Sequence, residues 1–391
     1  LPSVNILISA GEASGDMYAA RLVVELRKLM PDAQFFGCAG PKMRAVGVES
    51  VVDAEALAVV GLVEVLAHIP RIYSEFRKLI AAARERRPQL AILTDSPDFN
   101  LRVAKRLKPL GIPVVYLVAP QVWAWRSGRV RQMRRDLASV LSIFPFEKAW
   151  FAARGVSVDF IGHPLAWSAA PRFSRAEFCA RYGLNETKPF ITLLPGSRLG
   201  EARRHLPAVL DAVEILRSHG YTQFVWATPV GFLERGGTSF TTFRERISAL
   251  SIQVVEGEAW DAIAHADLAL AASGTVTMEA ALLGTAMVTF YKVTEISWWV
   301  GKLLVSVPFY TMVNLVAERK VVPELMQSEF TGSNLAQAAL DLLNNPAALS
   351  AMRADLAQIR NSLRRDSDPL AGAARLLVRR YLQEDRYWKE A

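Results

Sequence analysis

The sequence predicts an α/β protein made of two successive arrays of parallel strands and helices. Three observations predict it. Short runs of β-branched and leucine residues recur along the chain, with the continuous apolar character of strands covered on both faces. Each run closes at a turn of Gly, Pro, Ser or Asp and leads into a helical stretch, an alternation that implies parallel pairing through right-handed crossovers. The chain has 391 residues, more than one hydrophobic core normally supports.

The first array opens with a strand-like run at 4–9, which enters the turn Ala10-Gly11-Glu12-Ala13-Ser14-Gly15-Asp16 and a helix from about residue 17 to 30. The turn contains glycine but is not a GxGxxG dinucleotide fingerprint. A run at 89–94 ends at Asp95, Ser96, Pro97 and Asp98. A run at 114–118 ends at Ala119, Pro120 and Gln121, just before Val122-Trp123-Ala124-Trp125-Arg126. Runs at 140–144 and 158–161 continue the pattern. Residues 163–172, with Pro164 and Pro171 among small residues, read as a linker. The second array starts near Phe190, with further strands near 223–227, 252–255, 267–271 and 286–290, and helices dominate after Asn334. This places one domain at 1–165 and another at 173–365.

Two turns of the second array suit phosphate. The apolar run 191–194 stops at Pro195 and Gly196, where the backbone can turn sharply, and Ser197 and Arg198 follow at once. Carboxyl ends of strands are where ligands bind in open α/β sheets, and Arg is shaped to clamp a phosphate at two points. An ordinary turn with a surface Arg has the same signature. The second turn, Ser273-Gly274-Thr275, breaks a strand and opens a helix, offering free N–H groups to an anion. Glu279, one helical turn on, can accept from ribose hydroxyls or simply complement the helix dipole. Together the two turns suggest a nucleoside diphosphate held between them.

Composition bounds the rest. The content is 51% hydrophobic and 21% charged, which suits a globular chain, and no apolar run reaches the ~18 residues of a spanning helix. No secretory signal is read at the start of the chain. Cys38 and Cys179 fit no metal spacing and the histidines do not group, so no metal is expected. A net charge of +8 favours an anionic partner. No nucleic-acid motif accompanies Arg126, Arg129, Arg131, Arg134 and Arg135, which sets nucleic acid last among the candidates. Two segments suit lipid or a core helix. One, at 57–69, carries Val63, Val65, Leu66 and Ile69, with Arg71, Arg77 and Lys78 beyond it. The other, at 296–310, carries Trp298 and Trp299.

Ala10–Asp16, Ser96-Pro97-Asp98-Phe99-Asn100, Val122–Arg126, Phe144-Pro145-Phe146-Glu147, Ile161-Gly162-His163-Pro164, Leu194–Arg198 and Ser273–Thr275 occur in the order and spacing of the lipid-A-disaccharide synthases, and the chain resembles that family along nearly its whole length. The resemblance implies a glycosyltransferase-B fold, two Rossmann-like domains facing a cleft, with the C-terminal helix at 366–391 packing back on the first. It implies an inverting, metal-free transfer that joins UDP-2,3-diacylglucosamine to 2,3-diacylglucosamine 1-phosphate, forming a β-1,6-linked disaccharide and UDP. It places the enzyme peripherally on the cytoplasmic face of the inner membrane, in contact with anionic lipid, and admits a homodimer. UDP falls to Gly196, Ser197, Arg198, Ser273, Gly274, Thr275 and Glu279. Asp98 matches the family's candidate base, although a turn carboxylate after Pro97 needs no function. Glu12, Ser14, Asp16 and Asn314 fall on the acceptor side.

Two local departures exist. Ala119-Pro120-Gln121 stands where the family often has Ser-Pro-Ser, and Val313 where a proline often precedes the asparagine. Two rivals share the architecture: a UDP-N-acetylglucosamine 2-epimerase, which needs no apolar segments for acyl chains, and a non-catalytic peripheral lipid- or nucleotide-binding protein.

Overall fold

A computed structural model describes residues 4–56, 62–295, 298 and 307–383. The chain forms two compact units, Leu1–Trp167 with Leu363–Ala391, and Ser168–Ser362.

The first unit is built on β1 (Asn5–Ser9), β2 (Gln34–Ala39), β3 (Glu49–Asp53), β4 (Leu90–Thr94), β5 (Val114–Leu117), β6 (Ser139–Ser142) and β7 (Val158–Phe160). They form one sheet in the order β3-β2-β1-β4-β5-β6-β7, every pair parallel. All residues of β4, β5 and β6 are buried, which is why these strands read as continuous apolar runs rather than alternating ones. The helix α1 (Ala13–Leu29) buries Tyr18, Ala19, Leu22, Val23 and Leu26, a stripe at helical spacing. Against α1 lies the C-terminal helix Pro369–Leu377. Arg21 pairs with Asp368 at its start (3.1 Å), and further on Arg380 pairs with Asp159 of β7 (2.6 Å). The C-terminal segment is therefore part of this unit's fold.

The second unit carries β8 (Phe190–Leu194), β9 (Gln223–Thr228), β10 (Gln253–Glu256), β11 (Leu268–Ala272), β12 (Met287–Tyr291) and β13 (Glu324–Met326). The order is β10-β9-β8-β11-β12-β13, again parallel throughout. Phe290 stacks on Phe330 with ring centroids 4.4 Å apart, and Trp226, Phe224 and Phe190 fill the core around them.

Each sheet has one place where the strand order reverses: β1 beside β4, and β8 beside β11. Such a switch point leaves a crevice at the carboxyl ends of the two strands, and it is where ligands enter folds of this kind. Four of the motif-bearing turns follow these four strands, and the other three follow β5, β6 and β7.

Val63, Val65, Leu66 and Ile69 fall on the helix Leu62–Arg86, but their side chains lie outside the described residues, as does Trp299. Trp298 is half-buried, its ring 5.7 Å from that of Tyr310.

Asp16, expected on the acceptor side, faces inward and is buried. Its carboxylate accepts from the backbone N–H groups of Gly40 (3.0 Å), Lys42 (2.8 Å) and Met43 (3.1 Å), capping the short helix Pro41–Ala45 after β2. Asp16→Ala leaves three amides without acceptors, so urea unfolding should show a loss on the order of 3 kcal/mol, while UDP affinity stays unchanged.

Candidate active site

In the second unit Leu194 and Ala271 are register partners, so the turns after β8 and β11 leave the sheet side by side. Gly196 sits at φ +125, a backbone conformation that favours glycine, and a Cβ there would come within 2.5 Å of the Glu201 carboxylate and displace that side chain. The preceding carbonyl is held from behind. Lys292 N–H donates to His205 Nε2 (3.0 Å), which leaves Nδ1–H to donate to the Pro195 carbonyl (2.7 Å). Burial lowers the His205 pKa, favouring the neutral ring this arrangement needs. Ser197 and Arg198 are exposed, with Arg198 at the N-cap of the helix Leu199–Ser218.

The turn after β11 is tied down by Ser273, whose N–H donates to Phe290 O (2.8 Å) and whose hydroxyl donates to Tyr310 O (3.2 Å). Gly274 is the N-cap of the helix Thr275–Leu283 and offers no side-chain cap, and both Gly274 and Thr275 are exposed. The first amides of that helix are thus open to an anion. Burial raises the pKa of Glu279, one turn along, and a hydrogen bond from Trp260 opposes the rise. Asn314 is wholly buried with both ends of its amide engaged: Oδ1 accepts from Val321 and Val322 N–H (2.7 and 2.9 Å), and Nδ2 donates to Val322 O (3.0 Å) and Glu324 (2.9 Å). Glu324 also accepts from Thr311 N–H (2.8 Å) and hydroxyl (2.7 Å). Asn314 and Glu324 therefore fix the segment whose Tyr310 carbonyl meets Ser273.

In the first unit the loops after β1 and β4 are joined by Asp95, which the sequence reading passed over. Its carboxylate accepts from Gly11 N–H (2.7 Å) and Glu12 N–H (3.1 Å). Glu12 and Ser14 are exposed beside it. Asp98, the candidate base, is exposed on the first turn of the helix Pro97–Leu107, and Arg126 donates to both its oxygens (2.9 and 3.2 Å) while Arg129 donates to one. Arg126 also lies over the Trp125 ring, 4.5 Å from its centroid. Of the five arginines in this stretch, Arg126 and Arg129 gather around the acid, while Arg135 pairs with Asp136 (2.6 Å). Two further motifs meet where Trp123 Nε1 donates to Glu147 Oε1 (3.1 Å) and its ring meets Phe146 edge-on at 5.0 Å.

The family model for lipid-A-disaccharide synthetase matches residues 6–375. The chain belongs to the lipid-A-disaccharide synthase family. A lipid-A-disaccharide synthase of Solibacter usitatus is 59% identical over 359 residues, covering 92% of each chain, and one of Acidobacterium capsulatum is 41% identical over 372 residues, again covering 92% of each. Among solved structures, a UDP-GlcNAc 2-epimerase from Neisseria meningitidis bound to UDP-GlcNAc superposes with a TM-score of 0.63, covering 96% of this chain and 99% of its own. At 11% identity that likeness shows the fold alone. The epimerase reading is not favoured, because the family match decides what the shared architecture leaves open.

Four of the family's seven motifs thus lie at the two switch points, and the other three follow β5, β6 and β7. Asp16 and Asn314 face inward, and Asp95, His205 and Glu147 are the members that the sequence reading missed. Glu147 was visible as the end of a motif, but its burial was not.

Burial pushes the Glu147 carboxyl up to about 8, against hydrogen bonds from Trp123 and the Phe144 and Ile143 backbone. Its Oε2 has no partner among the described residues. At low pH the carboxyl is protonated whether the chain is folded or not. As pH rises past the ordinary value of 4.5, the unfolded chain ionises first, and stability falls until the folded carboxyl ionises near 8. Glu147→Gln should remove that part of the fall. Thermal unfolding of the two proteins across this range checks it, and parallel curves would contradict the assignment.

Proposed function

We propose that this protein joins an acylated UDP-glucosamine donor to an acylated glucosamine 1-phosphate acceptor, forming the β-1,6-linked disaccharide 1-phosphate of lipid A and releasing UDP. It is a glycosyltransferase. The observation that carries the reading is the family match across residues 6–375, with a relative 59% identical.

The transfer is a single displacement: the acceptor 6-hydroxyl attacks the anomeric carbon as the bond to UDP breaks, inverting that centre. Such a step needs stabilisation of the departing diphosphate and removal of the hydroxyl proton. We assign the first task to Arg198 and the open amides around Gly196, Ser197, Gly274 and Thr275, with Ser273 fixing the turn and Glu279 holding the ribose. The exposure of Arg198 beside an uncapped helix start supports this. We assign the second task to Asp98, with Arg126 and Arg129 releasing it in exchange for the acceptor's phosphate, and Glu12 and Ser14 bordering the sugar. No cofactor is assigned. Arg198→Ala and Glu279→Ala should each weaken UDP binding measured by calorimetry, whereas Asp98→Asn should leave UDP affinity intact and lower kcat on the order of 100-fold. Near-normal turnover in Asp98→Asn would return Asp98 to the role of a turn residue.

Peripheral attachment to anionic lipid at the cytoplasmic face of the inner membrane belongs to the same proposal. Among the described residues no helix is long and apolar enough to cross a membrane. The helix Leu62–Arg86 carries a surface pocket of about 750 Å³ lined by Tyr73, Phe76, Arg77, Lys78, Arg84 and Arg106, with no acid among its described lining residues. Cations beside aromatic rings suit the boundary between headgroup and acyl chain. Replacing Arg77, Arg84 and Arg106 with Glu should abolish sedimentation with phosphatidylglycerol vesicles at low salt. Replacing Val63, Leu66 and Ile69 with Ser should weaken the salt-resistant part. Unchanged sedimentation in both variants would place the contact elsewhere, with Trp298 and Trp299 next.

A further inference from the structure

Asp95 organises more of the first unit's loop geometry than Asp98 does. Asp95 and Ser96 are consecutive non-glycine residues in the left-handed region, at φ +51 and +38. Conformations of this kind persist only where the surroundings over-determine them, and they cluster at functional sites. The surroundings here do so. The Tyr116 hydroxyl donates to the Asp95 carbonyl. Asn100 Nδ2 donates to the carbonyls of Thr94 (2.7 Å) and Asp95 (3.1 Å), and Asn100 Oδ1 accepts from the Ser9 hydroxyl (2.8 Å). The result is a side chain thrown back across the switch point onto the loop after β1, where it takes the Gly11 and Glu12 amides. Gly15 leaves the room: a Cβ there would lie 1.7 Å from Asp95 Oδ2.

The site is a costly one for a carboxylate. Burial pushes the Asp95 carboxyl up to about 7, the Gly11 and Glu12 amides oppose the rise, and the Glu12 charge adds to it. Cys38 of β2 and Tyr116 of β5 also face it, with Asp98 and Arg129 around the tyrosine. A turn needed only for folding has no use for a charge that its own surroundings resist. Breaking local rules in this way is expected where function requires it.

We propose that Asp95 is a positioning residue for the acceptor: its carboxylate holds the Gly11–Glu12 loop, and the turn it begins sets the place of Asp98. The proposal rests on the assignment of the first unit to the acceptor sugar. As pH falls and the carboxyl gains a proton, its hold on the two amides weakens.

The test compares wild type, Asp95→Asn and Gly15→Ala in steady-state transfer with both acylated substrates, from about pH 6 to about pH 8.5, alongside UDP calorimetry and thermal unfolding. Asp95→Asn should fold, bind UDP as before, and raise the acceptor KM about tenfold with little change in donor KM. The wild-type acceptor KM should rise as pH drops below about 7, and Asp95→Asn should lack that limb. Both enzymes meet the same acceptor, so titration of its phosphate cancels in the comparison. Gly15→Ala, which forces the carboxylate off the loop, should reproduce the acceptor-selective loss, and it is the variant to read if Asp95→Asn does not fold. An unchanged acceptor KM, a limb retained in Asp95→Asn, or equal losses for donor and acceptor alongside a lowered Tm would each overturn the proposal. A rise in donor KM alone would instead overturn the assignment of the first unit to the acceptor.

Discussion

One topological constraint underlies the placement of most candidate active-site residues. In each unit the strand order reverses once, at β1–β4 and at β8–β11. There two adjacent parallel strands send their chains away on opposite crossovers and leave their carboxyl ends uncovered. The strands themselves are buried and rigid, so they fix position without contributing chemistry. The four loops that follow them carry the residues to which the proposed function assigns the chemistry: 10–16 and 95–100 in one unit, 195–198 and 273–275 in the other. Four of the seven motifs thereby collapse to two places.

The two switch points solve the problem of a sharp turn differently. After β8 the turn needs only backbone near the ligand, so glycine serves: Gly196 takes φ +125 without a Cβ penalty, and a neutral His205 steadies the carbonyl before it. After β4 the turn has to carry a carboxyl at a left-handed residue, and glycine cannot supply one. The strain at Asp95 and Ser96 is then offset by neighbours that are themselves buried and polar, Asn100, Ser9 and Tyr116. Such a network is worth having only if complete, since any member left unpaired in the interior costs more than it gains. Asn100, at the end of the Ser-Pro-Asp-Phe-Asn motif, therefore holds the Thr94 and Asp95 carbonyls and is not a bystander.

What was legible in the sequence was local. Apolar runs closed by Gly, Pro or Ser marked the strands and their turns, because burial on both faces leaves a continuous signature and a tight turn restricts residue type within a few positions. The direction of a polar side chain was not legible. Asp16 caps a helix 24 residues away, Asn314 saturates its amide on a segment that returns to it, and Asp95 reaches 84 residues back to Gly11. For Asn314 the partners are set by the path of the chain into β13, and for Asp16 and Asp95 by strand order, which composition and periodicity do not encode. His205 was invisible for the same reason: a histidine on an apolar helix face is usually just core, and only the neighbouring β12 end makes it a clamp on Pro195.

The division of labour between the units follows from what each reaction on this architecture demands. An epimerase and a transferase both meet the charge that develops on a UDP leaving group, so the turns after β8 and β11 face the same requirement in either enzyme. Deprotonating a sugar hydroxyl beside a phosphate is required by transfer to a phosphorylated acceptor alone. The features suited to it, an exposed Asp98 gripped by Arg126 and Arg129 and a loop held by Asp95, belong to the first unit. A second charge placed next to the two arginines competes with Asp98 for them. Under the proposed function, the acceptor's phosphate docks on these arginines and frees Asp98 as the base, which would couple acceptor binding to proton removal without any further moving part.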